Sequence, residues 1–188
     1  MKVIEQEIHS LKNSISEMWA LVHQQLYNAG EAMLTGDKEL AYKVISRERR
    51  VNAFELKIDS DCEDIIALYA PVAIDLRFVL AMYKINTNLE RLGDFAESIA
   101  RFAGNLPEGE PIDPQLVKET RVEEMLSELL SMISLTKEAF EKESSEIASR
   151  IFLKDNLIDE INHNSTAIIA KYIEEHKGSA LAGLYMAC

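Results

Sequence analysis

Proline and glycine are scarce in this chain of 188 residues, which has four of the first and seven of the second. So few breakers argue against a loop-rich fold and favour long uninterrupted helices. Two cysteines, Cys62 and Cys188, cannot build a disulfide framework, so a reducing, cytoplasmic setting is expected. No window approaches the roughly 18 consecutive apolar residues of a membrane span. The first residues, MKVIEQEIHSLKN, carry charges throughout and lack a secretory apolar core. Positive charge is short as well: 20 basic residues against 32 acidic ones give a formal charge of -12. That argues against sequence-independent nucleic-acid binding, which rests on a basic surface, and suits cations or basic partner surfaces. A glycine-rich phosphate loop is missing, so ATP hydrolysis has no support. None of the histidines His9, His23, His163 and His176 pairs in sequence with Ser14, Ser16 or a cysteine as a nucleophile would require. No catalytic set emerges, and the chain is not expected to be an enzyme.

What is present is helical periodicity. The chain is 47% hydrophobic and 28% charged, an ordinary globular composition. Ile8, Leu11, Ile15, Met18, Val22 and Leu26 stripe a first helix over about 4–34. Gly36-Asp37 ends it and opens a second helix over about 38–69, where Val51, Ile58, Cys62, Ile65 and Tyr69 keep the four-three spacing. Pro71 closes that helix, and Asp75 is the expected cap of a third, which lasts to about Ala103. The run 104–114, GNLPEGEPIDP, holds three of the four prolines and is the clear linker. A fourth helix over about 115–142 and a fifth over about 145–176 follow. Lys177-Gly178-Ser179 breaks the fifth, and Ala180 to Cys188 begins another apolar segment that stops at once. Helices of about thirty residues reach roughly 45 Å, and three of them joined by short turns make an up-down antiparallel bundle, like a spectrin repeat.

The second half echoes the first. With Ala32 set on Ala139, Leu40 falls on Ile147, Val44 on Ile151, Glu48 on Asp155, Val51 on Ile158 and Asn52 on Asp159. Apolar phase and polar pair both match, so the expected architecture is all-α, two three-helix bundles in tandem. Residues 1–104 form the first, 105–114 the linker, and 115–188 a second that lacks most of its last helix.

The sharpest chemical feature is Glu90-Arg91-Leu92-Gly93-Asp94. Glu90 and Asp94, four apart, share one helical face inside an apolar seam of Met82, Ile85, Leu89, Leu92 and Ala96. Pairing the second and third helices around Pro71 sets Glu90 opposite roughly residue 54 and Asp94 opposite roughly residue 50, so Glu48, Asn52 and Glu55 meet them. Carboxylates over a core seam repel one another and resist desolvation. An oxygen-only set suits a hard cation such as iron, manganese, magnesium or calcium. The alternative is a row of solvated acids at a bundle edge, each beside a lysine or arginine. Cys62, three after Asp59, is either a sulfur ligand or a small core residue. Glu160-x-x-His163 has di-iron spacing, but it is one pair where that architecture needs two. Gly93 in mid-helix points to close approach of a neighbouring helix.

These residues resemble the PhoU family of bacterial phosphate-signalling regulators. The likeness is densest from Leu68 to Ala100: Pro71, Val72, Ala73, Asp75, Leu76 and Arg77 match the start of the family's third helix. Leu89-Glu90-Arg91-Leu92-Gly93-Asp94 matches its Leu-Glu-Arg-Ile-Gly-Asp signature, with Leu92 in the isoleucine place. The family's Asp-x-x-Val-Asn element stands here as Glu48-x-x-Val51-Asn52, with Asp155-x-x-Ile158-Asp159 as its second copy. The resemblance implies two three-helix bundles, often dimeric, and a cytoplasmic negative regulator of phosphate uptake and phosphate-starvation signalling. It implies docking to the phosphate transporter's ATPase subunit and to a sensor histidine kinase. It also implies divalent or trivalent metal ions, iron or zinc, on the acidic motifs: Glu48, Asn52, Glu90 and Asp94, with Asp155 and Asp159 in the second copy; Glu55 joins the candidate metal ligands by the helix pairing alone. The family's second acidic signature lies on a sixth helix that this sequence does not reach, which leaves only those two aspartates there. The competing reading is a metal-binding or metal-storage bundle with hydrolytic chemistry at the cluster.

Overall fold

Asp37, Asp113 and Ser144 each open a helix by accepting a backbone N–H, from Leu40, Gln115 and Ile147 respectively. The computed structural model describes residues 3–106 and 112–176, and these form six helices and no strand. α1 spans Val3–Thr35, α2 Lys38–Tyr69, α3 Ala73–Asn105, α4 Pro114–Thr120, α5 Val122–Glu141 and α6 Ser145–Glu175. Part of the linker, residues 107–111, and the segment from Lys177 to Cys188 lie outside the described residues.

The α1–α2 turn places Gly36 at φ 70°, and Asp37 caps α2 by accepting from the Leu40 N–H at 2.9 Å. The same device recurs 107 residues later. Glu143 takes φ 52°, and Ser144 accepts from the Ile147 N–H at 3.3 Å to open α6. The repeat read from side-chain phase is therefore also a repeat of backbone turn and cap. α1 corresponds to α4 and α5 together, and α2 to α6.

Two details differ from the sequence expectation. The cap position of α3 is Val72, with extended backbone and no side-chain cap, while Asp75 sits inside the first turn. An acid there still meets the positive end of the helix dipole. The expected fourth helix is broken in two at Arg121, which adopts φ 55°. No glycine or proline marks the break. Buried Thr120 turns its hydroxyl back onto the carbonyls of Leu116 and Val117 at 2.7 and 3.2 Å. Arg121 is held outward by Glu124 at 2.7 Å and by Glu160 of α6 at 2.9 Å. The kink lets α4 turn onto α6, where Leu116 packs with Ile169 and Tyr172.

α1, α2 and α3 pack on one another in an antiparallel bundle whose core runs through Leu11, Ile15, Met18, Val22, Val44, Val51, Ile58, Ile65, Met82 and Leu89. α5 and α6 pair, α4 caps the end of α6, and α5 also lies against α1. Ile133 of α5 joins the first core, with Leu129, Leu130 and Phe140 packed against it. Gly30 of α1 permits that approach, since a Cβ there would lie 2.2 Å from Leu126 Cδ2.

Candidate functional site

The α2–α3 interface carries the acidic residues because its register is fixed by three contacts along its length. Cys62 Sγ lies 3.8 Å from the Val79 carbonyl. Asn86, fully buried, donates from Nδ2 to the Glu55 carbonyl at 2.9 Å and to Asp59 Oδ1 at 2.7 Å. Gly93 faces Val51, and a Cβ at Gly93 would lie 2.9 Å from Val51 Cγ1. Close approach is the reason for a glycine here, as its mid-helix position suggested, since any side chain would push the two helices apart.

This register brings the sequence-expected acids to one level. Glu48 is 9% exposed, with Asn52 donating to its Oε2 at 2.9 Å. Burial pushes its pKa up, and the charges of Glu97 and Asp94 push it further; the Asn52 hydrogen bond and Arg101 oppose them. Glu90, half-buried, is also raised by burial, then by the charges of Asp94 and Glu55, by a hydrogen bond to Asp94 that only its protonated form donates, and by Glu48. Five acids from two helices thus share one electrostatic neighbourhood: Glu48, Glu55, Glu90, Asp94 and Glu97. Glu48 and Glu90 are each destabilised as an anion.

Such mutual repulsion is relieved by a cation, and oxygen donors suit hard ions. As the side chains stand, however, no group of three or more His, Cys, Asp or Glu among the described residues is gathered so as to hold a metal ion. The donor set fits a cation in charge and chemistry, but it is not a preformed cage.

Asp155 and Asp159 stand on α6, both exposed. α6 packs on α4 and α5, and the second-copy pair is not joined by the acids of α2 and α3. Cys62 is a core residue: it is buried, and burial, followed by the charges of Asp59 and Asp61, pushes its thiol up to about 12. Glu160 is engaged by Arg121 rather than by His163.

Sequence reasoning missed two participants in the acidic face and one polar pair elsewhere. Glu97, three residues after Asp94, bears on Glu48 and is itself paired with Arg101 at 2.6 Å; its signal was the continued i, i+3 spacing of acids on α3. Asn86, four before Glu90, was legible only as a polar residue on an apolar stripe. The polar pair is that of His23, whose Nε2 lies 3.1 Å from Ser134 Oγ across α1 and α5, a pair that 111 residues of separation conceal.

The acidic α2–α3 face sits inside a region with a recognisable pattern: the sequence pattern of the PhoU domain matches residues 15–103. A protein of Aquifex aeolicus, described as a phosphate-specific transport system accessory protein PhoU homolog, is 33% identical over 171 residues, covering 90% of this chain and 75% of that protein. The chain belongs to the PhoU family. The Escherichia coli K12 phosphate-specific transport system accessory protein PhoU is 34% identical over 154 residues, 82% of this chain and 62% of its own length. In three dimensions the chain is similar to the crystal structure of PhoU from Pseudomonas aeruginosa, with a TM-score of 0.90 at 27% identity, covering 97% of this chain and 86% of that one. The phosphate transport system regulatory protein PhoU from Streptococcus pneumoniae gives a TM-score of 0.82 at 27% identity, over 98% and 84%. These likenesses support the tandem helical bundles expected of the PhoU family.

Proposed function

We propose that this chain is an accessory regulator of phosphate transport, a negative regulator that holds down phosphate uptake and starvation signalling when phosphate is plentiful. Its work is docking: a rigid helical surface binds the ATPase subunit of the phosphate transporter and a sensor histidine kinase in the cytoplasm, as a homodimer. The carrying observation is the PhoU-family match along nine-tenths of the chain to a phosphate-transport accessory protein. In agreement, no helix among the described residues is long and apolar enough to cross a membrane.

The acidic face supplies the second part of the proposal. Glu48, Glu90 and Asp94, with Glu55 and Asn52 beside them, would hold a metal ion, iron or zinc among the candidates. The ion would neutralise the repulsion that raises Glu48 and Glu90, and so tie α2 to α3. Asp155 and Asp159 form the weaker second pair.

Two measurements test these parts separately. In cells carrying a phosphate-starvation reporter, deletion of the gene should de-repress the reporter in phosphate-rich medium, and the wild-type chain should restore repression. A reporter indifferent to the deletion sinks the regulatory reading. Elemental analysis of purified protein, with and without the paired Glu90→Gln and Asp94→Asn changes, tests the metal. A substoichiometric content equal in both proteins leaves docking alone. The competing reading, a metal-binding or metal-storage bundle, is favoured by the clustered acids and predicts full metal content with no effect on the reporter.

A further inference from the structure

The turn between α2 and α3 combines three features that packing does not explain. Its large aliphatic side chains face outward: Leu68 is 72% exposed, Val72 74% and Ile74 79%, while Pro71 between them is buried. Its backbone is held in an unfavourable shape, with Ala70 at φ 44° and Ala73 at φ 48°, values that a side-chain-bearing residue rarely adopts. The Ala70 N–H donates to the Ile66 carbonyl and the Asp75 N–H to the Val72 carbonyl, each at 3.2 Å, so the turn is built rather than loose. Exposed aliphatics on a strained, hydrogen-bonded turn form a projecting knob, and solvent-exposed turns are ordinarily polar.

The third feature is charge. Between Ile58 and Leu76 there are five acids, Asp59, Asp61, Glu63, Asp64 and Asp75, and no lysine or arginine. No base lies in the last turn of α2, where the dipole's negative end favours one. Lys57 engages Asp61 on one side and Arg77 follows on the other, so the knob is apolar at its crest and anionic at its base. An anionic lipid surface repels that base, and so does the same knob of a second copy.

We propose that Leu68, Val72 and Ile74 form a docking knob for an apolar groove ringed by lysine or arginine on a partner protein. This rests on the accessory-regulator reading for the choice of partners. The knob lies about 27 Å along α3 from Glu90, at 1.5 Å per residue, so the two sites can be altered independently.

The test uses the purified full chain against the purified phosphate-transporter ATPase subunit and the cytoplasmic portion of the sensor kinase, by biolayer interferometry at low and high salt. The triple change Leu68→Ser, Val72→Ser, Ile74→Ser should weaken binding to at least one of them about tenfold or more, with an unchanged melting temperature because the residues are exposed. Ile74→Ser alone serves if the triple variant folds poorly. Neutralising Glu63 and Asp64 should slow association and flatten its salt dependence. Glu90→Gln with Asp94→Asn should leave the knob's contribution intact. Equal affinity of the wild-type and knob variants would overturn the knob while sparing the regulatory reading. Wild-type binding to neither subunit would overturn both. Knob-dependent binding to phosphatidylglycerol vesicles, or a knob-dependent change in oligomer mass, would show a lipid surface or a second copy as occupant and overturn the basic-groove assignment.

Discussion

Gly93→Ala isolates the contact that sets the distance between α2 and α3. The added methyl would lie 2.9 Å from Val51 Cγ1 and 3.5 Å from both Cβ and Cγ2 of the same side chain. Normal carbon contacts begin near 3.5 Å, so the helices must separate locally by about half an ångström or more. Val51 cannot swing aside: it is fully buried, and a β-branched residue in a helix has one strongly preferred rotamer. Overpacking of this kind costs about 1–3 kcal/mol, while alanine gains about 1 kcal/mol over glycine in a helix interior. The net expectation is a destabilisation of about 1 kcal/mol, a fall of roughly 2–4 °C in melting temperature for a chain this size. Adding Val51→Ala should remove the clash. In a double-mutant cycle by urea denaturation, Gly93→Ala should then become stabilising, with a coupling of at least about 1 kcal/mol. If Gly93→Ala alone stabilises by its helix propensity and shows no coupling to Val51, close approach is not the reason for this glycine. The steric account of the acidic face would then fail with it.

Glu48 and Glu90 have raised folded pKa values, so their stabilising contribution is fully present below the ordinary glutamate value of 4.5 and is lost as pH rises through the raised values. Paired Glu48→Gln and Glu90→Gln changes should therefore raise the melting temperature at about pH 7, and the gain over wild type should vanish near pH 4.5. A difference that is constant across pH refutes the repulsion. Ala70→Gly with Ala73→Gly should stabilise by about 1 kcal/mol in total, because relief of the left-handed penalty exceeds glycine's extra unfolded-state entropy. The loss expected of a mid-helix alanine-to-glycine change would count against the turn geometry. Asp37→Ala removes the cap on the Leu40 N–H at 2.9 Å and should cost about 1 kcal/mol by denaturant titration. Ser144→Ala, at 3.3 Å, should cost less.

Much of the fold was legible because helices are local. Long apolar stripes at four-three spacing and the Gly36-Asp37 turn act through contacts within a few residues, so α2 and α6 lie close to the ranges read from the sequence. The break at Arg121 was hidden because no breaker residue makes it. It comes from packing of α4 on α6 and from an ion pair to Glu160, 39 residues away. The candidate site divides the same way. Glu90 and Asp94 share a face by helical geometry alone, and counting back around Pro71 put Glu48 and Glu55 opposite them. The count could not show that Asn86 locks the register, that Glu97 joins the acids, or that the carboxylates stop short of a closed metal cage.

By itself the sequence determined the helical class, the repeat and the identity of the acids, all of which follow from spacing along one chain, and its motifs carried the resemblance to the PhoU family. Only the tertiary structure decided how deeply Glu48 is enclosed, that Cys62 is a core thiol, that α5 joins the first bundle at Gly30, and that aliphatic side chains crown the α2–α3 turn. Burial and the field of neighbouring charges depend on which segments pack together, and residues far apart in sequence settle that only once the helices have met.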